Sequence, residues 1–203
     1  MGFLKAEISF TVVRSRDLPQ AKFPRWCVLG RSNVGKSSLL NAITHPLKIF
    51  RTGKTPGVTQ GLVAARCQVA KVKEAQIEIV DTPGFGFVER RSSLINKWES
   101  LLESLGERSE AGLMWVWLVD PLRDPLAEDV HMLKWLGQQP FVIWFSKSDR
   151  VKTGARPAVE RKWSRYLQAS SERPLWVSAQ NGEGLEDVFK SARAFVKLSQ
   201  EAR

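Results

Sequence analysis

Apolar and polar positions along the chain change period several times, and each change marks an element. Arg25 to Gly30 (RWCVLG) is a short, mostly apolar run and reads as a strand. In SSLLNAI, Leu39, Leu40 and Ile43 fall on one side of a helix that stops near Pro46. FRTGKTPGVTQG is polar and broken by Gly and Pro, which predicts a loop. GLVAARCQVA and AQIEIV follow as two strands close enough to form a hairpin. From Leu94 the apolar positions Ile95, Trp98, Leu101, Leu102 and Leu105 draw a helical face.

LMWVWLV is apolar on both faces, as a buried parallel strand should be. Asp124 and Pro125 read as an N-cap and an N1 proline, opening a helix with Val130, Leu133 and Leu136 inward. FVIWF and PLWV are two more strands, with one helix between them through Val159, Trp163 and Leu167. A last helix runs from about Leu185 through Val188, Phe189, Ala192 and Val196. The pattern predicts an α/β fold in three layers: a mostly parallel six-stranded sheet with helices on both faces. In such folds ligands sit beyond the carboxyl ends of the strands.

The 203 residues and 43% apolar content suit a single domain over residues 1–203, with a core about 22–200. No stretch is apolar enough to span a bilayer, and the opening MGFLKAEISF lacks a signal-peptide core, so a cytoplasmic protein is expected. A monomer is the expected state, although no feature of the sequence names the oligomeric state. Cys27 and Cys67 lie in apolar strands and read as buried free thiols. His45 and His131 are too few and too separated for a metal site. Trp115, Trp117, Trp144 and Trp176 read as core from their strands, and Trp98 and Trp135 from their helix faces. The net charge of +10 fits either a polyanionic partner or a solvated surface, and does not choose between them.

Five strand ends carry chemistry. GRSNVGKS, from Gly30 through Arg31, Ser32, Asn33, Val34, Gly35 and Lys36 to Ser37, is the phosphate-loop pattern in strand–loop–helix context, with Ser38 next. Its glycines let backbone N–H groups wrap phosphates. Lys36 would reach the terminal phosphates and Ser37 would ligate Mg²⁺. DTPG (Asp81, Thr82, Pro83, Gly84) follows AQIEIV; Asp81 can hold Mg²⁺ and the Gly84 N–H can meet a γ-phosphate. SKSD (Ser146, Lys147, Ser148, Asp149) follows FVIWF. Asp149 can accept from both N1–H and the 2-amino group of guanine, whereas adenine presents a lone pair there. Lys147 can lie over the base. After PLWV come Val177, Ser178 and Ala179, whose N–H can meet guanine O6. The loop through Gly57, Val58, Thr59, Gln60 and Gly61 offers Thr59 as a second hydroxyl on the metal.

These motifs, with Leu18–Pro19 and EDVHMLKWL (Glu128–Leu136), resemble the EngB (YihA/YsxC) family of bacterial GTPases over nearly the whole chain. The resemblance implies a Ras-like GTPase fold, Mg²⁺-dependent GTP and GDP binding, and GTP hydrolysis. It also implies a role on the large ribosomal subunit precursor and a link to cell division and septation. The chain departs from the family pattern at Ser146, where Thr is usual, at Arg25, where Glu is frequent, and at Val58, where a basic residue is common.

Lys36, Thr59, Gly84 and Asn33 are the expected catalytic set. Phe85 stands where a water-orienting Gln often follows D-x-x-G, so slow turnover is expected. Asn33 resembles the phosphate-loop Asn of potassium-activated GTPases, which adds potassium as a candidate cofactor. Two other readings remain at this point: a low-turnover GTP/GDP sensor in cell division, and a P-loop ATPase or nucleotide kinase, which Lys147 and Asp149 oppose.

Overall fold

The computed structural model describes residues 3–44, 48–52, 61–72, 74–85, 92–137, 139–170 and 172–201. Its strands are β1 (Phe3–Val12), β2 (Arg25–Gly30), β3 (Leu62–Val69), β4 (Gln76–Asp81), β5 (Leu113–Val119), β6 (Phe141–Phe145) and β7 (Leu175–Trp176). Its helices are α1 (Lys36–Ile43), α2 (Ser92–Glu107), α3 (Ala127–Leu136), α4 (Arg156–Lys162), α5 (Ser164–Leu167) and α6 (Leu185–Glu201). One sheet runs β1-β3-β4-β2-β5-β6-β7. The pairs β1/β3 and β3/β4 are antiparallel, and every pair from β4/β2 to β6/β7 is parallel.

Alternation sorts the central strands between two cores. Trp26 and Val28 of β2, Val116 and Leu118 of β5, and Val142 and Trp144 of β6 join Leu39, Leu40 and Ile43 of α1 and Val188, Ala192 and Val196 of α6. Cys27 and Leu29, Trp115 and Trp117, and Phe141, Ile143 and Phe145 point the other way. They pack with Trp98, Leu101, Leu102 and Leu105 of α2, Met132 and Leu136 of α3, and Trp163 and Tyr166. Burying both faces is why these strands read as unbroken apolar runs. Both cysteines are free and buried.

The sheet has seven strands where the pattern predicts six. The added strand, β1, lies at the edge, with Lys5, Glu7, Ile8, Ser9 and Thr11 exposed. Two register shifts, between Phe3 and Ala6 and between Ile8 and Phe10, spoil its alternation. The helix after β5 starts at Ala127, so Asp124 is not its N-cap. The Asp129 carboxylate reaches back to accept the Leu126 N–H at 2.8 Å and satisfies the helix end two residues later. Asp124 is exposed and pairs with Lys162 at 2.9 Å. The single helix expected between β6 and β7 is two, meeting at Trp163, whose angles (φ −97°, ψ 8°) leave the helical range.

The parallel arrangement brings Gly30, Asp81, Asp120, Ser146 and Val177 to one edge of the sheet. Strand β2 connects to neighbours on both sides, so the crevice beyond its carboxyl end is the topological switch point.

Candidate functional site

The phosphate loop leaves β2 at Gly30, where an added Cβ would stand 2.6 Å from the Leu118 carbonyl oxygen. Only glycine lets the chain pass this close to β5. The loop then turns through left-handed angles at Asn33 (φ 63°) and Gly35 (φ 106°) and opens α1 at Lys36. Lys36 is buried, and its ammonium donates to the carbonyls of Gly30 at 2.9 Å and Arg31 at 3.3 Å. It thereby spans the mouth of the cradle that phosphates would enter. Burial pulls its pKa down to about 8, against the opposing attraction of Asp81.

Asp81 ends β4 and is 1% exposed. The Ser37 hydroxyl donates to its Oδ2 at 2.6 Å, while Oδ1 has no hydrogen-bond partner among the described residues. Burial pushes this carboxyl up to about 6, with Lys36 and Ser37 opposing. A buried carboxylate oxygen without a donor, beside a hydroxyl at a phosphate loop, is a donor set that fits Mg²⁺. Thr82 donates its hydroxyl to the Val28 carbonyl at 2.9 Å, which ties the DTPG turn to β2. Gly84 lies so close to Ser32 that a Cβ there would meet it at 2.8 Å. Backbone bonds from Ser32 N–H to Phe85 O (3.0 Å) and from Phe85 N–H to Gly30 O (3.3 Å) join the two loops. The Phe85 ring is buried against Trp98, whose indole N–H donates to Pro83 O at 3.1 Å.

Beside the phosphate loop lies an open hollow of about 470 Å³, bounded by Val34 and Ser38 on one side and Lys147, Asp149, Val177 and Ala179 on the other. The Ser178 hydroxyl donates to Asp149 Oδ1 at 2.5 Å, which leaves Oδ2 and a second lone pair of Oδ1 for a ligand. Lys147, itself left-handed (φ 53°), donates to the Asn33 carbonyl at 3.1 Å and so clamps this loop to the phosphate loop. The Ser146 hydroxyl turns back to the Val119 carbonyl at 3.0 Å, and Ser148 is 1% exposed; both face into the protein.

A family model described as 50S ribosome-binding GTPase matches residues 25–147, the stretch from β2 through the first two residues of SKSD. A probable GTP-binding protein EngB from an Exiguobacterium species is 32% identical over 97% of this chain and 98% of its own. The chain belongs to the EngB family of GTP-binding proteins. A crystal structure of a probable EngB covers 86% of this chain and 99% of its own, at 23% identity and a TM-score of 0.61. Era in complex with MgGDPNP and a segment of 16S ribosomal RNA covers 88% of this chain and 58% of its own, at 19% identity and a TM-score of 0.68. These two likenesses establish the Ras-like P-loop fold.

In this EngB chain, Gly30 to Ser38, Asp81 to Gly84, Ser146 to Asp149 and Val177 to Ala179 converge on one edge of the sheet. Gly57, Val58, Thr59 and Gln60 lie outside the described residues. Gly61 leads into β3, whose Val63 pairs with Asp81, so it lies at the same end of the sheet, towards β1, where a Cβ would be 2.3 Å from the Val12 carbonyl oxygen. Two residues that bear on the site were not singled out in the sequence. Asp120, directly after β5, accepts from Lys147 Nζ at 2.8 Å. It is an acidic residue at a strand end, the same signal that marked Asp81. Glu183, in the turn NGEG, accepts from the Ser148 hydroxyl at 2.6 Å; no local pattern announces that contact.

Proposed function

We propose that this chain is a guanine-nucleotide switch that binds GTP and GDP with Mg²⁺, hydrolyses GTP slowly, and acts in assembly of the large ribosomal subunit, with a consequence for cell division and septation. The observation that carries the nucleotide part is the convergence of Lys36, the Ser37–Asp81 pair and Asp149 around one crevice. Ser37 and Asp81, with Thr59, would hold Mg²⁺, which supplies charge neutralisation at the phosphates when bound. Lys36 and the loop N–H groups would bind the phosphates, the Gly84 N–H would report the γ-phosphate, and Asp149 would select guanine.

Slow turnover follows from Phe85. A buried phenyl ring packed on Trp98 has no polar group with which to orient water. Hydrolysis then needs charge from elsewhere. Asn33, exposed at the lip of the loop, is the residue assigned to a potassium ion there.

The ribosomal part is supported by the description of the matched family and by the basic surface next to the base-reading loop. Arg150, Lys152, Arg161 and Arg165 are exposed and make no ion pair among the described residues, whereas Arg156 and Lys162 are paired. Unpaired basic side chains on a switch protein suit RNA phosphates. A monomer in the cytoplasm is the state in which this switch would act; no helix among the described residues is long and apolar enough to cross a membrane.

The test is co-sedimentation with large ribosomal subunits and their precursors in GDP and in a non-hydrolysable GTP analogue, with multiple-turnover GTPase rates measured alongside. Nucleotide-dependent binding and faster turnover on particles are expected. Binding that ignores the nucleotide, or none at all, would sink the ribosomal reading. Unstimulated turnover without docking would leave the low-turnover sensor, which the Phe85 position favours.

A further inference from the structure

We propose that Glu183 is a positioning residue for guanine selectivity: its carboxylate holds the Lys147–Asp149 turn against the Ser178–Ala179 turn, so that Asp149 stays aimed at the base. The proposal rests on the guanine-nucleotide reading of the crevice and adds a residue that none of its motifs contains.

The geometry is a closed set of contacts. Glu183 lies between two glycines with left-handed angles, Gly182 (φ 81°) and Gly184 (φ 76°). A Cβ on Gly184 would be 2.0 Å from the Trp176 carbonyl oxygen, so only glycine brings this turn so close to the end of β7. The main chain of Glu183 accepts the Ser178 N–H at 3.0 Å. Its own N–H donates to Asn181 Oδ1 at 3.0 Å. One carboxylate oxygen accepts the Ser148 hydroxyl at 2.6 Å and the other accepts Arg156 Nη2 at 2.6 Å.

Each partner is itself anchored. Ser148 is buried and donates its N–H to Val177 O at 3.2 Å. The Arg156 guanidinium lies over the Trp176 ring, 4.8 Å from its centroid. The Ser148 hydroxyl, first, and the Arg156 guanidinium keep the Glu183 carboxyl below the usual carboxylate range, so it is ionised at neutral pH.

The consequence concerns Asp149, which follows Ser148 in the chain. Two anchors aim its carboxylate: Ser178, which donates to Oδ1, and the backbone of the turn, which Ser148 pins to Glu183. Glu183 controls both, through its main chain at Ser178 and its side chain at Ser148. Glu183 does not line the hollow that the base would fill, so it acts through the turns it holds, that of Asp149 foremost. Releasing the carboxylate lets Asp149 swing. The contact that suffers most is the one to the guanine 2-amino group, because two parallel hydrogen bonds demand a fixed carboxylate plane.

The experiment measures GDP and inosine diphosphate affinities by calorimetry, since inosine lacks the 2-amino group. Glu183→Ala should reduce the GDP-over-IDP preference by about five- to tenfold, a weakening short of the full loss of a hydrogen bond to a charged group. The midpoint of thermal unfolding should move by only a few degrees, about what one part-exposed contact contributes. Glu183→Gln, which keeps the shape and a hydrogen bond to Ser148, should recover most of the preference.

Ser148→Ala cuts the same contact from the other side and should reproduce the loss, and the double variant should be no worse than either single one. An unchanged GDP/IDP ratio in Glu183→Ala or Ser148→Ala, or additive losses in the double variant, would overturn the proposal. Wild-type protein that binds neither nucleotide would instead remove the guanine reading beneath it, an outcome distinguishable before any variant is made.

Discussion

The Ser37 hydroxyl donates to Asp81 Oδ2 at 2.6 Å, joining residues 44 positions apart at the centre of the crevice. The same carboxylate keeps its other oxygen buried and without a donor among the described residues. Ser37→Ala should therefore weaken Mg²⁺-dependent GTP binding by about ten- to a hundredfold, while binding in EDTA changes little. Lys36→Ala should abolish both. Titration calorimetry with and without Mg²⁺ separates the two, and normal affinity in Lys36→Ala is incompatible with the phosphate-loop assignment.

The two buried charges set the pH dependence of binding. Asp81, pushed up to about 6, must be ionised to hold a cation, so Mg²⁺-dependent affinity should fall as pH drops below that value. Lys36, pulled down to about 8, must be protonated to meet phosphate, so affinity should fall again above it. The nucleotide-free fold behaves in the opposite sense. It holds more protons at Asp81 than the unfolded chain between 3.8 and about 6, and loses stability as pH rises there. It holds fewer at Lys36 between about 8 and 10.5, and gains stability as pH rises there. Calorimetric affinities from pH 5 to pH 9, set beside unfolding curves without nucleotide, check both signs; a flat affinity profile is the failing result.

Asp149→Asn should lower GTP affinity on the order of a hundredfold and raise affinity for xanthosine triphosphate, because an amide donor then faces the C2 carbonyl of xanthine. Ser178 can still bond the amide oxygen, so the loop keeps its place. Competition binding with the two nucleotides reads the exchange. GTP affinity unchanged from wild type would remove Asp149 from the base contact.

Arg25, one of the departures from the family pattern, is completely buried. Its guanidinium donates to Glu78 Oε2 at 2.8 Å and to the carbonyls of Pro19 and Arg108 at 3.0 Å each, with the Phe10 ring over it. Glu78 also accepts the Ser9 hydroxyl. Arg25→Ala should destabilise the fold by about 3–5 kcal/mol, because it strands a buried carboxylate. Arg25→Met with Glu78→Leu should return much of that loss. Urea unfolding measures both, and a loss below about 1 kcal/mol in Arg25→Ala, by the same principle, would mean the pair is not desolvated.

The docking face should show itself through salt. Reversing Arg161, Lys162 and Arg165 to Glu should weaken binding to large ribosomal subunits and leave GTP affinity nearly intact. The slope of log affinity against log salt should flatten by about one for each phosphate that the variant no longer neutralises. Lys162 is held by Asp124, so Arg161 and Arg165 alone should carry most of the effect. Wild-type binding across a salt series in the Arg161→Glu, Arg165→Glu variant would clear this face of the role.

What the sequence determined by itself was local. The phosphate loop is a run of eight residues whose glycines, lysine and serine act on backbone neighbours, so GRSNVGKS could be read without knowing what lay beside it. The central strands were legible because burial on both faces writes an apolar run, and α2 because one buried face writes a helical period.

The tertiary structure decided what depends on partners distant in the chain. Strand β1 exists by pairing with β3, about 60 residues later, and its exposed edge leaves no apolar period to read. Asp129 displaced Asp124 as the acceptor at the start of α3 because the helix end took the donor geometry that the folded chain offered. Glu183 and Asp120 became part of the site only when parallel pairing set the ends of β5, β6 and β7 side by side. A hydrogen bond between residues 27 or 35 positions apart has no local period, and only the packed sheet brings its two ends within reach.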